Sequence, residues 1–229
     1  MSRPVTLLCL ALLGAALYIY ALASANALLG LAVKPIPVLA LIYWLSTAEP
    51  TPYRRWIIIG LGFSLLGDIL LAVPGDLPVF GLAAFLCAHL AYLRGYLGEN
   101  RQLAPVALLG SAIVGALLLG LLISSGLGEL LIPVTVYALA ISAMLWRALA
   151  CGGLAALGAV SFVFSDSLIG IDRFVSPFGA AQYLIIIAYW LGQWAIAASA
   201  YTRQSAKALT QSAAGQEKQV KTQGVETCG

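Results

Sequence analysis

Charge is what this chain has least of: Asp, Glu, Lys and Arg make up 9% of its 229 residues. Soluble domains carry about 25%, so composition alone excludes a soluble globular fold. A hydrophobic share of 62% and a mean hydropathy of +0.97 mark an integral membrane protein. The net charge of +3 is not gathered into a basic cluster, which excludes a nucleic-acid surface. Histidine occurs once, as His89, and the four cysteines (Cys9, Cys87, Cys151 and Cys228) show no Cys-x-x-Cys spacing. That inventory is too small for a membrane zinc hydrolase with several histidine ligands, and it offers no disulfide framework. A Gly-x-Ser-x-Gly elbow and a P-loop are both missing, which removes serine-hydrolase and nucleotide chemistry. No metal or cofactor is expected.

Long apolar runs are what the chain does have. Eight of them are long enough to cross a bilayer: Val5–Ala23, Ala27–Leu45, Trp56–Val73, Val79–Leu97, Leu103–Ser124, Leu130–Leu149, Leu154–Ile171 and Ala180–Tyr201. Short polar or Pro/Gly-marked connections separate them. The first run, behind Arg3, has the form of a signal-peptide core but no convincing cleavage site, and seven further runs follow, so a retained helix is predicted. Residues 1–201 therefore form one membrane domain. Residues 202–229 turn abruptly polar, cannot bury an apolar core, and are predicted to be disordered. Ten of the twelve Lys and Arg residues fall on the side of the termini (Arg3, Arg54, Arg55, Arg94, Arg101, Arg147, Arg203, Lys207, Lys218 and Lys221). The positive-inside rule then predicts an all-α polytopic protein with eight transmembrane helices and both termini cytoplasmic.

Two carboxylates interrupt these runs, in the phrases Leu-Leu-Gly67-Asp68 and Val-Phe-Ser165-Asp166. An acid near the centre of a membrane helix costs about 2.5–3.5 kcal/mol on insertion scales, so such residues face a partner or a cavity. Asp68 lies 12 residues after Trp56 and Asp166 lies 12 after Leu154, on helices of the same direction. At 1.5 Å per residue both sit roughly 18 Å from the inner boundary, in the outer half of the core. Lys34 and His89, entering from the outer side, reach the same half. Each has a structural alternative. Lys34 precedes Pro35 and Pro37, whose freed carbonyls its ammonium would satisfy, or it would snorkel outward. A lone histidine among apolar residues commonly bonds helix to helix. The aspartates themselves would serve as buried glue if each had a hydroxyl or Lys34 as partner. Tyr137, Tyr189 and Gln193 are candidate supporting groups; Tyr18, Tyr20, Tyr43, Trp44 and Trp56 are assigned to the interfacial belt, and Asp172–Arg173 to an ion pair at a helix end. Two close acids in a low-dielectric site would not both ionise, which would supply a general acid and a general base without a cofactor.

At these residues the chain resembles the YhhN/lysoplasmalogenase family of membrane proteins. The resemblance is carried by Lys34-Pro35, Gly67-Asp68, Phe85-x-x-Ala88-His89-x-x-Tyr92, Gly158-Ala159-x-x-Phe162-x-x-Ser165-Asp166, Arg173-Phe174 and Tyr189-x-x-x-Gln193, in that order, from Lys34 to Gln193. It implies an eight-helix fold in a bacterial inner membrane. It also implies hydrolysis of the vinyl-ether bond of lysoplasmalogens to a fatty aldehyde and glycerophosphoethanolamine or glycerophosphocholine. The substrate would be a lysophospholipid, with Asp68 and Asp166 as acid and base. His89 and Tyr189 would orient them or water, and Lys34 would hold the lipid phosphate. A proton-coupled transporter and a non-catalytic lipid-binding protein are the competing classes, distinguished by gradient-driven flux or by binding alone.

Overall fold

A chain in lipid must satisfy every backbone amide and carbonyl internally, and this one does so with helices. The computed structural model describes residues 3–72 and 78–202. Its helices are α1 (Arg3–Ala23), α2 (Ala27–Val33), α3 (Ile36–Ser46), α4 (Pro52–Ala72), α5 (Pro78–Glu99), α6 (Pro105–Ser124), α7 (Leu131–Cys151), α8 (Gly153–Gly170) and α9 (Ala181–Thr202). A 3₁₀ turn at Gly128–Leu130 leads into α7, and α8 runs on into a π-helical turn at Ile171–Val175. Together α2 and α3 make one span, so eight helical segments are long and apolar enough to cross a membrane, as the sequence predicts. The predicted polar tail, from Arg203 onward, and the connection at residues 73–77 lie outside the described residues.

Local chemistry sets the helix ends. The Asn26 side chain caps α2 by accepting from the Leu29 amide at 3.0 Å. Pro52 and Pro105 open α4 and α6, where a missing amide hydrogen costs nothing. Lys34-Pro35-Ile36-Pro37 splits the second span, because neither proline can donate to the carbonyl four residues back.

The lipid-facing surface is inverted relative to a soluble protein: Val106 is 84% exposed, Ile132 75% and Leu117 70%. An apolar surface of that extent belongs in a bilayer. Polar groups such as Ser64, Asp68, His89 and Gln193 are instead buried inside the bundle.

Small residues bring the central helices together. A Cβ at Gly158 on α8 would lie 2.7 Å from the Ile196 backbone nitrogen and 2.8 Å from the Gly192 carbonyl on α9. Only glycine permits that crossing, which backbone-accepted bonds from Ser161 to Ala188 (2.7 Å) and Ser165 to Ile185 (2.9 Å) extend. On α4, Gly60 and Gly67 admit the rings of Tyr92 and Phe85 from α5. These contacts aim one face of each of four helices at a common interior.

Candidate active site

On α5, Phe85, His89, Tyr92 and Tyr96 recur at i, i+4, i+7 and i+11 and form its buried stripe. Asp68 on α4, Phe162 and Asp166 on α8, and Tyr189 and Gln193 on α9 meet that stripe. The sequence-predicted groups fall into three linked clusters.

In the first cluster, Lys34 Nζ lies 3.0 Å from Asp68 Oδ1, and the Tyr189 hydroxyl donates to Asp68 Oδ2 at 2.7 Å. Both carboxylate oxygens therefore have donors, inside an ion pair whose side chains are 14% and 4% exposed. Lys34 meets Asp68 because the break at Pro35 places it mid-span. Its charge is thus matched by an acid within the bundle.

The second cluster holds the other acid. Tyr137 donates to Asp166 Oδ2, and His89 Nε2 lies 2.8 Å from the Tyr137 hydroxyl and 3.3 Å from the same Oδ2. With the tyrosine proton given to Asp166, His89 Nε2 is left to donate to the Tyr137 oxygen or to Asp166 Oδ2. Nδ1 has no hydrogen-bond partner among the described residues. The second carboxylate oxygen, Oδ1, has no bonding partner among the described residues.

The third cluster is Tyr92, whose hydroxyl donates to Gln193 Oε1 at 2.6 Å and sits 3.4 Å from Ser64 Oγ. Phe162 joins all three. Its ring centroid is 4.8 Å from that of His89, 5.4 Å from Tyr189 and 6.3 Å from Tyr92, while Phe85 touches both Phe162 and Tyr189.

The acids differ in what they face. Asp166 and Tyr137 line a cavity of about 140 Å³ bounded by α4, α5, α6, α7 and α8, with Arg173 also in its wall. The remaining lining is apolar, from residues such as Leu82, Leu118 and Ile141. Asp68, Lys34, His89, Tyr189 and Gln193 do not line it. A carboxyl that opens onto an apolar chamber can exchange a proton with a bound hydrocarbon-like substrate; one enclosed by an ammonium and a phenol is suited to fixing charge and geometry.

Two sequence assignments change. Asp172 and Arg173 do not pair: Asp172 Oδ1 accepts the Phe178 amide at 3.1 Å, and the Arg173 guanidinium lies 5.8 Å from the Phe174 ring centroid. Tyr18, assigned to the interfacial belt, instead packs edge-on against Trp190 at 5.5 Å and over Gly30, so it is half-buried. Ser64, the ring wall of Phe85 and Phe162, and the place of Arg173 in the cavity were not assigned roles from sequence. The 3.6-residue stripe on α5 was the available signal for Phe85 and Tyr92.

Fold and site together define a polytopic membrane protein with one buried acid, Asp68, and a second, Asp166, in the wall of an apolar cavity. Residues 29–200 match the YhhN family. The chain belongs to that family. It is 39% identical over 165 residues to the lysoplasmalogenase of Mycobacterium tuberculosis (strain CDC 1551 / Oshkosh), covering 61% of this chain and 62% of that protein. It is 35% identical over 169 residues to human lysoplasmalogenase TMEM86B, covering 73% and 74%, and 31% identical over 168 residues to human lysoplasmalogenase TMEM86A, covering 67% of each. The matched region thus spans about 62% of the length of the mycobacterial relative. No solved structure matches the chain.

Proposed function

We propose that this protein is a lysoplasmalogenase, which hydrolyses the vinyl-ether bond of a lysophospholipid to a fatty aldehyde and glycerophosphoethanolamine or glycerophosphocholine. Asp166 carries this reading: a carboxyl set in the wall of an apolar cavity, steadied by Tyr137 and His89. The names of relatives at 31–39% identity agree with it.

Hydrolysis begins when the Asp166 carboxylic acid, protonated on the otherwise unengaged Oδ1, gives its proton to the outer alkenyl carbon. The double-bond electrons form the new C–H bond, and the inner carbon becomes an oxocarbenium centre. Asp166 is left anionic beside that cation. Water then adds to the oxocarbenium carbon and returns a proton to the Asp166 carboxylate. The hemiacetal collapses, its C–O bond to glycerol breaks, and the aldehyde and a glycerol hydroxyl leave. Protonating carbon is harder than protonating oxygen, so an acid fixed in an apolar wall matters here. Asp68 is the second acid of this scheme, and its bonds to Lys34 and Tyr189 support a charge-setting and positioning role. Tyr92 and Gln193 brace the ring wall between the two acids.

In this proposal the termini face the cytoplasm of a bacterial inner membrane, supported by the ten basic residues on their side. The cavity then lies in the outer half. The interrupted second span, with an ion pair at its break, is the one observation that favours a proton-coupled carrier.

The deciding experiment is aldehyde release from lysoplasmenylethanolamine by purified, folded protein, beside Asp166→Asn. Turnover by the parent, a fall of about 10³-fold in the variant, and one deuterium at the aldehyde α-carbon in D₂O are expected. A well-folded parent that releases no aldehyde but moves substrate along a proton gradient would establish the carrier instead.

A further inference from the structure

Among the described residues, the cavity holding Asp166 has one cation in its wall, Arg173, in the π-helical turn that follows α8. Asp166 and Arg173 both line it, seven residues apart across the junction of α8 and the π turn, up to about 10.5 Å along the axis at 1.5 Å per residue. The turn is a true widening, since the Ser176 amide bonds the Ile171 carbonyl at 2.9 Å, five residues back. π turns of this kind recur at functional sites. Asp172 is occupied by the Phe178 amide. The Arg173 guanidinium therefore has no hydrogen-bond or ion-pair partner among the described residues, and it is exposed at the end of the bundle away from the termini.

Lys34, the other candidate anion holder, is committed to Asp68 at 3.0 Å. On the opposite side of Asp166 the cavity meets a groove of about 400 Å³ between α6 and α7. Leu119 and Ala138 line both spaces, and the groove continues past Gly115 to Leu108 and Trp146. Cation, acid and apolar groove thus follow one another along the membrane normal, in the order of a phosphate, an ether bond and a hydrocarbon chain.

We propose that Arg173 binds the phosphate of a single-chain phospholipid whose chain passes Asp166 and lies in the α6–α7 groove. This rests on the lysoplasmalogenase reading for the chemistry at Asp166, but the phosphate contact is separable from it. From ether oxygen to phosphorus the substrate has five single bonds, roughly 6 Å when extended at about 1.5 Å each. The arginine side chain covers the remaining distance to the acid. A guanidinium suits the task because its planar fork meets two phosphate oxygens at once.

The test compares lysoplasmenylethanolamine with a phosphate-free 1-alkenylglycerol of the same chain. Arg173→Gln is expected to cut the parent's preference for the phosphate-bearing substrate about tenfold, through KM and with little change in kcat. Arg173→Lys should restore part of it. Ala138→Phe, which fills the junction, should slow long-chain substrates more than short-chain ones. An equal effect of Arg173→Gln on both substrates would overturn the phosphate site. If the parent releases no aldehyde, equilibrium binding of radiolabelled lysophosphatidylethanolamine decides. Weaker binding by Arg173→Gln keeps the site while the hydrolase reading falls, and unchanged binding removes the site as well.

Discussion

Removing Lys34 should damage the protein through Asp68. The ammonium lies 3.0 Å from Asp68 Oδ1, and the acid's side chain is 4% exposed, so Lys34→Met leaves a carboxylate with Tyr189 as its remaining partner. Breaking a buried ion pair from one side costs about 3–5 kcal/mol, and a lone acid in a membrane helix costs about 2.5–3.5 kcal/mol. The two ranges overlap near 3 kcal/mol. For a chain of this size that lowers Tm by roughly 6–12 °C. Replacing both partners, Lys34→Met with Asp68→Asn, removes the stranded charge and keeps an amide oxygen for the Tyr189 hydroxyl. The double variant should recover at least half of the loss. The assay is a thermal melt of all four proteins in one detergent at one scan rate, because membrane proteins often unfold irreversibly. Additive losses, with the double variant melting below the parent by the sum of the two single losses, would refute the pairing. A Lys34→Met protein that melts like the parent but shows a raised KM would instead give Lys34 the phosphate.

Two other variants probe neighbouring steps. Tyr137→Phe keeps the ring against His89 but deletes the hydroxyl shared by His89 and Asp166; kcat should fall about tenfold at unchanged Tm, and an unchanged kcat would remove Tyr137 from the site. Gly158→Val drives a methyl-bearing carbon against the α9 backbone and should cost more than about 3 kcal/mol, read as loss of the monodisperse peak in size exclusion, whereas Gly120→Ala, with open space around it, should behave like the parent.

Helices in a membrane announce themselves, and the spans were legible because lipid demands about 20 apolar residues at a stretch. The sixth span, expected to begin at Leu130, begins with the 3₁₀ turn at Gly128–Leu130 that leads into α7. The seventh was harder to end, since the predicted stop at Ile171 falls within a π turn, whose extra residue leaves no compositional trace. Depth counting put Asp68, Asp166, Lys34 and His89 in one layer, and the structure brings them together as two pairs: Lys34 meets Asp68 and His89 meets Asp166. Depth says nothing about rotation around a helix axis, however. For that reason the partition of the acids, with Asp166 on the cavity and Asp68 enclosed, was not visible. Rotation is fixed here by side-chain size on neighbouring helices, through Gly60 under Tyr92 and Gly67 under Phe85. Reading it from sequence would require knowing that α4 and α5 pack as a pair.

The enclosure of Asp68 also bears on the choice between hydrolase and carrier. A carrier's acid must meet protons from both sides in turn, which calls for a site that can open each way. Asp68 instead holds Lys34 and Tyr189 on its two oxygens, and Phe85 and Phe162 close the space between Tyr189 and His89. Opening that centre would separate an ion pair and part edge-to-face rings, against the backbone contact at Gly158 and Gly192 that locks α8 to α9. Hydrolysis needs none of these movements. It needs one acid that substrate can reach and a rigid surround that keeps that acid aimed, the role proposed for Asp166, which bonds Tyr137 and His89 at the edge of the apolar cavity.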